Sequence, residues 1–287
     1  MFVLFSFLKM RKYHAFHLVN VSPWPLLSAV ALFNLVVSFV GYLHSYAGFF
    51  EDFFFHFVNL ALVAGFWWRD VIREATFGGH HTQAVQKGLK MGFTLFLVSE
   101  AMLFFSLFWA FFYVAVHPSA SYLGTHWTKH ILNDTIQANH IPFLNTGVLL
   151  WSGVTLTWSH HALLRGRMTP AVDGLVLTLV LGLIFLFLQG VEYKNARFDI
   201  SDGVFGSTFY LLTGFHGMHV LVGWIFLATA FVRLGVGHLT SSRHLGYEMA
   251  IWYWHFVDVI WVFLFFAVYV WGTHPPGPLL AWAAASR

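Results

Sequence analysis

The chain has 287 residues, of which 58% are hydrophobic and only 9% charged, against about 25% charged in an ordinary soluble domain. Fifteen Lys and Arg oppose twelve Asp and Glu for a formal charge of +3, so no basic tract is large enough to hold a nucleic-acid backbone. Cysteine is absent, which excludes disulfides, iron–sulfur clusters, thiolate zinc sites and cysteine nucleophiles. What remains is an aromatic membrane chain with 34 Phe, 13 Trp and 18 His.

A bilayer core about 30 Å thick needs roughly 20 apolar residues per helix, because every backbone amide there must be bonded within the helix. Taking charges as span ends predicts seven spans, near 24–46, 51–68, 89–116, 142–164, 174–191, 203–232 and 249–271. Pro23, Trp24 and Pro25 open the first, and Trp67, Trp68, Arg69 and Asp70 close the second. Arg165 and Arg167 end the fourth, and Asp173 and Glu192 bracket the fifth. Apart from Lys90 at its inner edge, Glu100 is the one charge inside the third span, and Asp258 is the one inside the seventh. The chain reads as a single seven-helix domain over 1–287, with 273–287 an outer-side tail. The piece from His117 to Ile141 is too short to be a domain.

Seven spans place the termini on opposite sides. With the N-terminus inside, Lys9, Arg11, Lys12, Arg69, Arg73, Lys87, Lys90, Arg165, Arg167, Arg233 and Arg243 are inner, and only Lys129, Lys194, Arg197 and Arg287 are outer. That asymmetry fits the positive-inside rule. No cleaved targeting segment is visible: the apolar run 1–8 precedes the basic cluster, the reverse of a secretory signal.

Histidine is the natural candidate for a metal or haem centre. His216 and His219 share one helix face, and His255 lies on the next span. At about 1.5 Å per residue, His219 is roughly 18 Å from the outer end of its span and His255 roughly 12 Å from the inner end of its own. A bis-histidine haem needs ligands at one depth, so the pair fits poorly. His80 with His81, and His160 with His161, are adjacent pairs that diverge by about 100° on a helix. No metal site is expected.

Glu100 is the sharper signal, since a charged carboxylate at such depth costs about 2.5 to 3.5 kcal/mol. Two readings stand: a proton-linked or conformational carboxyl, or an acid bonded to Ser99 or a tyrosine that fixes helix packing. His255 and Asp258, three residues apart on one face, are read as a structural polar pair. Arg73 and Glu74, near the membrane boundary, suit a phospholipid head group held between helices. Gly203, Gly206, Gly214, Gly217 and Gly223 favour close helix approach or a slot for a lipid tail.

The segments WWRDVIREATFGGHHTQAVQKGLK (67–90), SEAMLFFSLFWAFFY (99–113), LNTGVLLWSGVTLTWSHHAL (144–163), ISDGVFGSTFYLLTGFHGMHVLVG (200–223) and GYEMAIWYWHFVDVIWVFLF (246–265) resemble the cytochrome c oxidase subunit 3 family. HLVNVSPWPL (17–26) is similar too, and the likeness runs in order from about His14 to Gly272. The resemblance implies an all-α polytopic membrane protein in which a two-helix and a five-helix bundle flank a V-shaped, lipid-binding cleft. It implies a core subunit of respiratory complex IV that stabilises the catalytic subunit and supports proton uptake as electrons pass from cytochrome c to O2. In that family this subunit carries no redox centre or catalytic residue; haem and copper belong to partner subunits 1 and 2, with accessory subunits around them. Glu100 matches the family's carbodiimide-reactive intramembrane carboxyl, and Trp68, Arg73, Glu74, His81 and Arg233 match positions associated with structural phospholipid. The implied location is the mitochondrial inner membrane, N-terminus in the matrix and C-terminus in the intermembrane space, with a bacterial plasma membrane as the alternative. Gln83 stands where the family motif usually has proline, Gly190 replaces a commoner Ala or Ser, and both chain ends and the 117–141 loop depart from the pattern. The competing functional class is an independent proton-coupled membrane transporter using Glu100 and the histidines of spans six and seven.

Overall fold

A computed structural model describes residues 15–116 and 136–272. The expectations for the first residues, for most of the 117–141 loop and for the 273–287 tail, including Lys9, Arg11, Lys12, Lys129 and Arg287, fall outside the described residues.

Among the described residues the chain is helical, with no strand beyond an isolated bridge between Thr240 and Arg243. The helices are α1 (Trp24–Leu43), α2 (Phe49–Thr76), α3 (Gln83–Val116), α4 (Ile141–Leu164), α5 (Met168–Asn195), α6 (Gly203–Gly235) and α7 (Leu245–Leu264), which continues as a π-helix over Phe265–Trp271. Six of these are long and apolar enough to cross a membrane. The exception, α4, has the length but carries Asn145, Thr146, Ser152, Thr155, Thr157, Ser159, His160 and His161. Asn145, Ser152 and Ser159 are fully buried, so its polarity is spent on neighbouring helices.

Most helices overrun the apolar stretches that predicted them, whereas α1 ends at Leu43, short of the predicted 46. α2 passes Trp67, Trp68, Arg69 and Asp70 and ends at Thr76, and α5 takes in both Asp173 and Glu192. A charge marks where a chain meets polar surroundings, whereas a helix stops where its backbone bonding is capped. Gly166, at φ +71°, ends α4: its N–H donates to Leu163 O and the N–H of Arg167 to Ala162 O. Gly237, at φ +74°, ends α6 with the same two bonds, to Leu234 O and from His238 to Arg233 O. Both are Schellman closures that need a left-handed residue, which glycine adopts without steric cost. The closure at 165–167 is so short that α5 must fold back along α4. Gln83, the departure from the proline motif, is the first residue of α3; the N–H there has no intrahelical partner, so proline and glutamine both serve.

The chain forms two compact units, one within Met1–Met91 and one within Gly92–Arg287. In the first, α1 and α2 form a hairpin whose far ends are joined by Trp24 Nε1–H donating to Asp70 Oδ2 at 2.7 Å. In the second, α4 lies along α5, α5 along α6 and α6 along α7, and α7 returns to α4. The α3 residues of that unit present Phe104 and Phe111 inward, while Met102, Phe105 and Trp109 stand exposed. Phe104 meets His219 and Phe256, and Phe111 meets Trp271.

Trp254 is fully buried in the centre of this unit. Its Nε1–H donates to Ser152 Oγ at 2.8 Å, and that hydroxyl donates to Leu149 O. A Cβ at Gly182 would stand 2.8 Å from Trp254 Cη2, and one at Gly223 3.1 Å from Trp254 Cε3. Apolar helices in lipid associate by close packing and interhelical hydrogen bonds rather than by escape from water, and here two glycines let α5 and α6 close on one indole. Gly182→Ala should therefore destabilise the second unit by about 1 to 3 kcal/mol through overpacking. A lowered midpoint of thermal aggregation in detergent would show it, and an unchanged midpoint would mean the ring moves aside without cost.

Candidate functional site: an intramembrane carboxyl and its histidine

Glu100 lies on α3 and His219 on α6, 119 residues apart in sequence, and Glu100 Oε2 is 2.8 Å from His219 Nε2. His219 Nδ1 lies 2.6 Å from Phe215 O. A carbonyl can only accept, so Nδ1–H donates, and that fixes what the other ring nitrogen can do. If the imidazole is neutral, Nε2 accepts and the carboxyl must donate; if it is cationic, Nε2–H donates to the carboxylate. Either way the Nε2···Oε2 line holds one proton. The ring is clamped edge-on by Phe104 at 5.0 Å and stacked with Tyr253 at 6.3 Å. The carboxyl side chain is 21% exposed and the imidazole 6%. Of the two readings left open for Glu100, the packing reading named Ser99 or a tyrosine as partner; here Ser99 Oγ donates to Phe96 O at 2.7 Å, within its own helix, and the carboxyl meets His219.

The other interior histidines are also engaged. His216 is 1% exposed, places Nε2 3.1 Å from Val257 O and packs against Phe185 and Trp261. His255 Nδ1 is 3.4 Å from Asp258 Oδ2, and its Nε2 is 3.3 Å from Thr157 Oγ1 on α4. Asp258 Oδ2 in turn occupies the space over Gly153, where a Cβ would stand 2.6 Å away. Neighbouring helices thus take up all three side chains, and among the described residues no group of three or more His, Cys, Asp or Glu is placed to hold a metal ion.

The positions matched to lipid fall in different places. In the first unit Trp68 is 64% exposed. Arg73 is mostly exposed, with Nη1 4.0 Å from Asp70 Oδ1. Glu74 Oε2 is 3.0 Å from His17 Nε2, and the His17 ring stacks on His80 at 4.9 Å and stands 6.0 Å from His81. Thr82 Oγ1–H donates to Ala15 O, so the residues before α1 are tied across the turn after α2. In the second unit Arg233, near the end of α6, has a buried Nε without a hydrogen-bond partner, and its Nη1 lies 2.7 Å from where a Cβ on Gly246 would be.

Two constellations escaped the sequence reading. His17 and Glu74 are 57 residues apart, and no local pattern announces their meeting. Glu192, read only as a span boundary, is 3% exposed; Tyr269 Oη–H donates to its Oε1 at 2.5 Å and Gln189 Nε2–H at 3.2 Å.

The family model for cytochrome c oxidase subunit III matches residues 14–273. The chain belongs to the cytochrome c oxidase subunit III family. Among curated relatives it is 49% identical over 259 residues to cytochrome c oxidase subunit 3 of Emericella nidulans, covering 90% of this chain and 96% of the relative. It is 47% identical to that of Arabidopsis thaliana, covering 90% and 97%. It is 46% identical to that of Gadus morhua, covering 91% and 98%. Family membership thus spans both compact units and every helix described above.

The Glu100–His219 geometry separates two substitutions. Glu100→Gln keeps a carboxamide that can donate to Nε2, so heat stability should stay near that of the unmodified chain. Glu100→Ala leaves a buried imidazole nitrogen facing Phe104 and should cost about 1 to 3 kcal/mol. Thermal aggregation of the two variants side by side checks this, and equal stability would mean the bond holds nothing together.

Proposed function

We propose that this chain is a non-catalytic core subunit of cytochrome c oxidase, respiratory complex IV, that braces the catalytic subunit and supports proton uptake during electron transfer from cytochrome c to O2. Membership of the subunit III family over residues 14–273 carries the reading. The enzyme is the complex; haem and copper reside in partner subunits 1 and 2, with accessory subunits covering this chain's variable ends. The interior histidines support the division of labour, since each is bonded to a carboxyl, a carbonyl or a hydroxyl on its own or a neighbouring helix.

In this reading the chain works as one seven-helix membrane domain, with α4 spanning alongside the six more apolar helices. The membrane is the mitochondrial inner membrane, the N-terminus is in the matrix and the C-terminus in the intermembrane space. The basic residues at the inner ends of the helices support that orientation.

Structural phospholipid is held by Trp68, Arg73, Glu74 and His81 in the first unit and by Arg233 in the second. The exposed guanidinium of Arg73 and the exposed indole of Trp68 suit a phosphate and its glycerol margin at the interface. Glu74 is bonded to His17, which ties the residues before α1 to this lipid-binding group. Glu100 is the proton-linked carboxyl, with His219 as the group it exchanges with, and His255 with Asp258 is a structural pair.

A tag on this chain tests the assignment: purification should bring down haem-containing subunits in fixed ratio. Recovery of the chain alone, transporting protons in liposomes, would favour the transporter class instead. Arg73→Ala should lower the phospholipid retained by the purified complex, read by native mass spectrometry. Unchanged lipid content would remove Arg73 from the site.

A further inference from the structure

At the end of the bundle opposite the α4–α5 turn, four side chains from three elements form a closed polar cluster. Asn145 of α4 donates through Nδ2–H to Gln189 Oε1 of α5 at 3.4 Å. Gln189 Nε2–H reaches Glu192 Oε1 at 3.2 Å and Tyr269 Oη at 3.5 Å, and Tyr269 Oη–H donates to Glu192 Oε1. Exposures are 0% for Asn145 and Tyr269, 6% for Gln189 and 3% for Glu192. Tyr269 lies on the π-helical turn, in which the Gly272 N–H bonds to Ala267 O, five residues back. Insertions of this kind are frequent at functional sites.

The donor and acceptor count does not close. Among the described residues, Glu192 Oε2 and Asn145 Oδ1 are both buried without a hydrogen-bond partner, and Gln189 Nε2–H and Tyr269 Oη–H are directed at other oxygens. Among the described residues, the ionisable groups that interact with Glu192 are Tyr269 from the π-helix, Tyr193 from its own helix and Tyr210 from α6, and none of these is a cation. Tyr193 Oη pairs with Thr213 Oγ1 at 2.6 Å, and Tyr210 Oη–H donates to Phe198 O at 2.8 Å, so neither turns a donor toward the carboxyl. A buried carboxylate without a cation is strongly unfavourable, and a buried acceptor without a donor adds to the penalty.

We propose that Glu192 is a proton-binding site, separate from the Glu100–His219 pair, in which a proton on Oε2 completes the cluster. One O–H bond removes the unpaired charge and turns one open acceptor into a donor. Glu192 Oε1 is then the carbonyl oxygen, taking bonds from Tyr269 and Gln189. Loading the proton locks α4, α5 and the π-helical end of α7 together; releasing it leaves a bare charge among them and loosens that end of the bundle. The subunit thereby holds protons at two buried places, of which only one was visible as a charge inside a predicted span.

Infrared spectra of the assembled complex at neutral pH test the site. Wild type minus Glu192→Gln should show loss of a carboxylic-acid C=O band with no loss of carboxylate bands, and the same band should persist in Glu100→Gln. Tyr269→Phe should shift that band to higher frequency, because Oε1 loses its strongest donor. Loss of carboxylate bands in Glu192→Gln would overturn the proposal, as would a spectrum identical to wild type. If Glu192→Gln does not assemble, Tyr269→Phe decides alone: an upward shift supports the site and an unmoved spectrum overturns it.

Discussion

The constraint that orders the second unit is that a polar side chain placed inside an apolar helix bundle must find its partner on another helix. In hydrocarbon no water can repair an unpaired donor or acceptor. Ser152 to Trp254, Ser159 to Tyr247, Thr155 to Thr178 and Glu100 to His219 each join two helices. Each bond fixes how far one helix is turned against the next, which dispersion between Leu, Val and Phe side chains leaves loosely defined. Remove the partner and the lone group becomes a penalty; keep it and the packing register is set.

That constraint also accounts for the histidines. An imidazole has two nitrogens, and orienting one by a carbonyl defines the role of the other. Phe215 O takes Nδ1–H of His219 and leaves Nε2 for Glu100, while His216 spends Nε2 on Val257 O. Each of these two rings therefore has at least one nitrogen committed to helix packing. A subunit built this way contributes shape to an assembly whose redox centres lie elsewhere.

Much of the architecture could be read from the chain before its structure. The long apolar runs announce helices because nothing else satisfies backbone amides in a bilayer, and among the described residues six helices are long and apolar enough to cross a membrane. Their ends were less legible, since the rule that charges bound spans treats every charge as facing water. Glu192 breaks that rule: it faces the bundle interior and is 3% exposed. The singularity of Glu100 was visible in sequence, but His219 was not, because which of several apolar faces meets which neighbour is decided by three-dimensional packing across 119 residues. The pairing of His17 with Glu74 was hidden for the same reason.

The central claim is that His216, His219 and His255 serve packing and proton binding while the redox centres belong to the partner subunits. The direct measurement is the reduced-minus-oxidised optical spectrum of this chain after its release from the complex, with copper quantified on the same sample. The account predicts no haem bands and no stoichiometric copper in the released chain, with both retained by the remaining subunits. Haem or copper bound at one per chain would contradict it.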